Sequence, residues 1–249
     1  MCYNTAVHPH SEAVEKAVAR WHGNSYHLME YEGDLMETKY VITIARQFGS
    51  GGREIGQKLA QKFSIPFYDR KAVAEIARNS GAGVVAYEDA QEKTQGDELY
   101  SLLTTDYSFD CGSPVCSGKQ VSGNVFLLQK QILLEAARKG PCVIVGRCAD
   151  EVLRGTTDLF SVFVCADKLS RMDRIVQKYG IPAQNAAEQM IIRDKQRSNY
   201  YSYCSNKKWG APDNYFLSVN SSAFGVDAAV GLIAETVCAW EEQNREKVS

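Results

Sequence analysis

The sequence predicts an α/β chain built on a parallel sheet with helices on both faces. Three observations carry that expectation. Five short runs, rich in β-branched and aromatic residues, alternate with longer amphipathic segments. These runs are apolar on both faces, as buried parallel strands are. The first leads into the glycine-rich turn Gln47-Phe48-Gly49-Ser50-Gly51-Gly52-Arg53-Glu54-Ile55-Gly56. A strand entering a helix through such a turn presents backbone N–H groups to an anion.

Residues 1–39 stand apart from the rest. They hold all four histidines (His8, His10, His22, His27) and six acidic residues against three basic ones. Ser11 is placed to cap a helix over 11–20. Met36 precedes the first strand directly, so the segment before it is expected to be an appendage, added by an over-long gene start. The main domain is expected over 40–249.

A strand is expected over 40–45 and a helix over 52–62, with Ile55, Leu59 and Phe63 on its buried face. A strand follows over 65–69, and a helix over 71–81 that stops at glycine. Residues 82–121 are polar and glycine-dotted, and look like an insertion. A helix over 124–140 would start at Asn124 and stop at Gly140. Strands are expected over 141–146 and 159–165. The helix over 168–180 places Leu169, Met172, Val176 and Tyr179 on one face. Another helix spans 186–201, a last strand 215–220, and a closing helix 226–240. Val226, Val230, Ile233, Val237 and Trp240 form the apolar face of that closing helix.

The chain has 249 residues, 45% apolar content and a formal net charge of -2. That balance asks for neither nucleic acid nor an anionic membrane as partner. No run approaches the ~20 apolar residues of a membrane span. The eight cysteines are irregularly spaced. Several sit in apolar runs, the pattern of reduced thiols used as core filler in the cytoplasm. Cys111 and Cys116 lack the second pair a zinc site needs. No secretory signal opens the chain. From residue 40 onward there is no histidine, which removes a histidine base, a histidine ligand and a Ser-His-Asp triad from the main domain. Charge stabilisation and positioning must carry any chemistry there.

Gly49, Gly51 and Gly52 exceed what a plain connection needs and point to phosphate. Two loop formulas compete. The dinucleotide pattern needs a small residue where Glu54 stands, although Asp69 lies where a ribose-binding acid would sit. The mononucleotide loop fits with Gly52 as its last glycine and Arg53 in place of lysine. Arg147 follows a buried strand, where ligands of open parallel sheets gather. Arg171 and Arg174, then Arg193, Lys195 and Arg197, then Lys207 and Lys208, form a dense basic stretch. Solvated helix faces are the ordinary fate of such runs. Interleaved Tyr200, Tyr201, Tyr203 and Trp209 also permit single-stranded nucleic-acid binding.

The blocks "ITIARQFGSGGREIGQKLAQKFSIPFYD", "VIVGRCAD" and "RSNYY…KKWG…NY…VNSS" resemble the cytidylate kinase-like family of P-loop nucleoside monophosphate kinases. The resemblance runs from about residue 40 to 235. It implies a three-layer P-loop fold with a five-stranded parallel sheet, a small monophosphate-binding insertion (about 82–121) and a lid (about 171–210). The implied reaction moves the γ-phosphoryl of ATP, with Mg2+, to CMP or dCMP. Under the resemblance Gly49, Ser50, Gly51, Gly52, Arg53 and Glu54 hold ATP, with Ser50 as substitute metal ligand. Arg53, Arg171 and Arg174 stabilise the transferring group. Asp69, Arg70, Arg147, Arg193, Asp194 and Arg197 hold the acceptor. Should Arg53 not take the lysine role, Arg46 or a lid arginine would hold the phosphates instead. The chain departs from the family pattern in two places. Gly52-Arg53-Glu54-Ile55 replaces Gly-Lys-Gly-Thr, and Gly146-Arg147-Cys148 replaces Gly-Arg-Asp, with Asp150 as the displaced acid. The missing loop hydroxyl motivates an alternative: a nucleotide-binding protein of this fold with altered or lost kinase activity.

Overall fold

The computed structural model describes residues 11–25, 38–80 and 119–245. Strands β1 (Val41–Arg46), β2 (Phe67–Tyr68), β3 (Val143–Val145), β4 (Leu159–Cys165) and β5 (Leu217–Asn220) form one parallel sheet in the order β2-β3-β1-β4-β5. This is the five-stranded parallel architecture that the alternating pattern predicts. β1 sits at the centre, pairing Ile42 with Val143 and Ile44 with Val162. Its C-terminal end therefore opens between two neighbours, where the glycine loop begins.

The two-residue period of the strands sorts the core into two layers. Val41, Tyr68 and Ile144 face one side, against α1 (Ser11–Ser25), α3 (Arg70–Asn79) and α4 (Lys119–Arg138). Ile42, Ile44, Val143 and Val145 face the other, against α2 (Gly52–Lys62) and α9 (Val226–Arg245). The apolar faces expected for the 52–62 and 226–240 helices pack as their spacing predicts. Ile55, Leu59, Phe63, Val230, Ile233 and Val237 are all buried.

Several boundaries differ for local reasons. β2 is two residues long rather than five, because Pro66 has no N–H and Asp69 leaves the strand to cap α3. The Asp69 carboxylate accepts from Lys71 N at 2.9 Å and Ala72 N at 3.0 Å. α4 starts before Asn124, which lies inside the helix and is not its cap. The insertion expected over 82–121 falls almost wholly outside the described residues, as do Cys111 and Cys116. The remaining elements are α5 (Ala149–Val152), α6 (Lys168–Tyr179), α7 (Ala183–Ser205) and α8 (Ser221–Phe224).

The face expected on α6 is corrected. Met172 and Val176 pack inward as expected, but Leu169 is 73% exposed and Tyr179 47%, and the buried residues are Arg171 and Ile175. The helix turns a charge inward because a carboxylate waits for it, a pairing that apolar periodicity does not register.

α1 is packed into the core. Val14 and Val18 are fully buried among α3 and α4, and Trp21 Nε1 donates to the Phe67 carbonyl at 3.3 Å. Val14→Asp places an unpaired charge in that layer. It is expected to lower unfolding free energy by about 3 kcal/mol or more in urea titration. A change below about 0.5 kcal/mol, the scale of an ordinary surface substitution, would show that the layer does not depend on α1.

No helix among the described residues is long and apolar enough to cross a membrane. Of the aromatic residues noted above, Tyr200 and Tyr201 lie in an interior cluster with Tyr215 and Phe163, and Trp209 packs against it, whereas Tyr203 is 64% exposed.

Candidate functional site

The loop after β1 turns on two left-handed glycines, Gly49 (φ +81) and Gly51 (φ +79). A Cβ on Gly49 would lie 2.6 Å from the Arg171 carbonyl oxygen, so α6 packs directly on the turn. α2 starts at Gly52 without any side-chain cap. Its first N–H groups point out of the helix into the turn, the arrangement that attracts anions.

Three side chains from distant segments hold the loop's shape. Asp194 on α7 accepts from Phe48 N at 2.7 Å, and Arg171 Nε donates to Phe48 O at 2.7 Å. Arg171 and Asp194 are themselves ion-paired. The Phe48 backbone is thus gripped at both polar atoms by one charge pair, the buried Arg171 and the partly buried Asp194. The Ser221 hydroxyl, just past β5, donates to Ser50 O at 2.6 Å. The Phe48 ring lies under Arg193 (4.5 Å from centroid) and Arg197 (5.5 Å), with Tyr179 alongside at 4.9 Å.

In front of the loop is a cavity of about 280 Å³. Its wall includes Gly49, Gly51 and Gly52 and six cations: Arg46, Arg53, Arg70, Lys71, Arg193 and Arg197. Asp69 is the one acid among its described lining residues, and it is already spent. It caps α3 and takes the Arg53 Nε at 2.7 Å. The surplus of positive charge at the C-terminal ends of parallel strands suits a polyanion.

The structure therefore gathers Gly49, Gly51, Gly52, Arg53, Asp69, Arg70, Arg193 and Arg197 around one cavity. Other sequence-predicted residues lie elsewhere. Arg171 and Asp194 stand behind the loop as its clamp. Arg174 pairs with Glu54 and lays its guanidinium against Gly51, 3.1 Å from where a Cβ would be. Asp69 and Arg70 are the cap and first residue of α3 rather than the end of a strand.

Arg147 is 4% exposed and sits in a run of left-handed residues, Gly146 (φ 80), Arg147 (φ 61) and Cys148 (φ 53). Non-glycine residues adopt that conformation at a cost and tend to do so at functional sites. Arg147 borders a second, smaller depression that it shares with Arg46, Arg197, Tyr201 and Asp150. Asp150 is buried, which raises its pKa above the usual carboxylate range even though Tyr201 donates to it at 2.8 Å. Burial also pushes the Tyr201 and Tyr215 hydroxyls upward.

Ser50 does not fit as a metal ligand. Its hydroxyl donates to Gln47 O at 2.9 Å, it is 2% exposed, and it is absent from the cavity wall. The Glu54 carboxylate is engaged by Arg174. Among the described residues no group of three or more His, Cys, Asp or Glu could hold an ion. The described residues therefore bring no cluster of three such ligands to the site.

Sequence reasoning missed Phe48, Lys71, Tyr179 and Ser221. Ser221 belongs to the "NSS" block that carried the resemblance, but its hydrogen bond across to the loop has no local sequence signal.

The profile of the cytidylate kinase-like family matches residues 41–223. No curated protein matches the chain. Among solved structures the chain is similar to an uncharacterized protein from Eubacterium ventriosum ATCC 27560, at 24% identity and TM-score 0.59, covering 80% of this chain and 98% of that one. It is also similar to TT1252 from Thermus thermophilus, at 15% identity and TM-score 0.50, covering 80% of this chain and 97% of that one. At these identities the likeness is one of fold.

Proposed function

The chain belongs to the cytidylate kinase-like family, and from that premise we propose that it transfers the γ-phosphoryl of ATP to a nucleoside monophosphate, CMP or dCMP. The observation that carries this reading is the cavity at the end of β1, where glycine backbone and six cations meet with a single, already occupied carboxylate. Phosphoryl transfer needs in-line positioning and neutralisation of equatorial charge rather than covalent help. A histidine-free domain rich in arginine can supply both.

In this reading the loop N–H groups and Arg53 hold the ATP phosphates. Arg70, Arg147, Arg193 and Arg197 hold the acceptor. α6 and α7 serve as the lid, with Arg171 and Asp194 fixing the loop and Arg174 at its rim. The described residues bring no cluster of three His, Cys, Asp or Glu ligands for Mg2+, so the ion is taken to travel with the nucleotide. The substrates and the free cysteines suit the cytoplasm.

A second reading, a nucleotide-binding protein with altered or lost kinase activity, is favoured by one observation. Glu54 stands where a loop hydroxyl is expected and is tied to Arg174. One assay separates the two: purified protein with ATP, Mg2+ and a panel of nucleoside monophosphates, following ADP. ADP release that depends on CMP or dCMP is the expected result. ATP binding without turnover on any monophosphate would favour the second reading. Absence of ATP binding would overturn both.

A further inference from the structure

Arg46, the last residue of β1, takes a path through the site that two glycines make room for. At Gly52 a Cβ would lie 2.5 Å from Arg46 Cβ and 2.9 Å from its Cγ. At Gly146 a Cβ would lie 2.1 Å from Arg46 Nη1 and 3.0 Å from its Cζ. The stem thus crosses the last glycine of the phosphate loop, and the guanidinium rests on the glycine before Arg147. Gly52 is not left-handed, so its backbone does not itself demand glycine. The side chain of Arg46 does.

Arg46 is also the one basic residue besides Arg197 that borders both the main cavity and the Arg147 depression. The two arginines are linked, since Arg197 Nη1 donates to the Arg46 carbonyl at 3.1 Å. Arg53, in the position of the loop lysine, is held by Asp69 instead. Among the described residues no carboxylate pairs with the Arg46 side chain. A half-buried guanidinium without a carboxylate, placed between two anion-binding walls, has its planar fork available for phosphate oxygens.

We propose that Arg46 is the cation that bridges the donor and acceptor sides of the site, gripping the phosphoryl group that lies between them. The donor and acceptor roles rest on the kinase reading; phosphate binding by Arg46 does not. The bridging arginine adds its charge to that of Arg53 at the loop, and the missing Cβ of Gly52 leaves room for its stem.

The test is calorimetric titration of tripolyphosphate into the full chain, alongside turnover. Arg46→Gln is expected to weaken tripolyphosphate at least tenfold and to lower kcat by about 10²-fold, the scale of losing one charge-stabilising donor. Arg46→Lys should recover part of both. Gly52→Ala keeps the arginine but blocks its stem, and should weaken tripolyphosphate in the same direction. Thermal unfolding checks that each variant is folded. A folded Arg46→Gln protein that binds tripolyphosphate as the parent does would overturn the proposal, whatever the turnover. If the parent binds tripolyphosphate through Arg46 yet phosphorylates no monophosphate, the kinase reading falls and the Arg46 assignment stands.

Discussion

Asp194→Ala is expected to destabilise the protein by about 3–5 kcal/mol and to remove nucleotide binding along with the lost stability. The size follows from what the substitution leaves behind. Arg171 has 8% side-chain exposure and Asp194 18%, so the truncation strands a buried guanidinium without its counter-charge. It also leaves Phe48 N without the acceptor it has at 2.7 Å. Asp194→Asn keeps an acceptor for Phe48 N and should cost less. Because Arg171 and Asp194 act as a unit, the double variant Arg171→Met/Asp194→Ala should be more stable than the sum of the single losses predicts. Urea unfolding of the parent, Asp194→Ala, Asp194→Asn, Arg171→Met and the double variant reads all of this. A loss under about 1 kcal/mol for Asp194→Ala, the scale of an exposed ion pair, would mean the pair is solvated and the loop is held by other means.

Gly49→Ala should abolish ATP and tripolyphosphate binding in a protein that still folds. Two effects combine at this position. The backbone is left-handed at φ +81, which costs an alanine about 1 kcal/mol. The added Cβ also meets the Arg171 carbonyl oxygen at 2.6 Å, and backbone on both sides means that either the loop or α6 must shift. Gly155→Ala isolates the first effect, since Gly155 has φ +72 with nothing within 4 Å of its Cβ position. The expected pattern is a modest stability loss and unchanged binding for Gly155→Ala, against loss of binding for Gly49→Ala. Equal binding in the two variants would refute the idea that close approach of α6 shapes the cradle.

The periodic parts of this fold were legible because each strand and helix announces itself within a few residues. "VITIA" and "LFSVFVC" show β-branched character, and Ile55, Leu59 and Phe63 recur at helical spacing. Boundaries were less legible where one residue serves two elements. Asp69 reads as a strand end but works as a helix cap, and that shortens β2. α6 was misread for a different reason. Its inward face carries Arg171, and a buried charge is visible only through a partner on another helix. The glycines and arginines of the site were legible as a list, but not their division into wall and scaffold. Whether an arginine lines the cavity, as Arg193 does, or is buried behind the loop, as Arg171 is, depends on side-chain direction in three dimensions. Arg46 shows the same limit. Its importance rests on clearances at Gly52 and Gly146, and nothing in local sequence links the three.

The grip on Phe48 has a consequence for how the protein comes into being. The glycines of the loop are synthesised early, but the carboxylate that accepts from Phe48 N lies 146 residues later in the chain. A nascent or prematurely ended chain can contain the whole "QFGSGGREIG" motif and pair its first strands while lacking the clamp. Contacts of such long sequence separation form late, after the cost of closing the intervening chain has been met. The observed shape of this loop is therefore a property of the finished protein, complete once α6 and α7 dock.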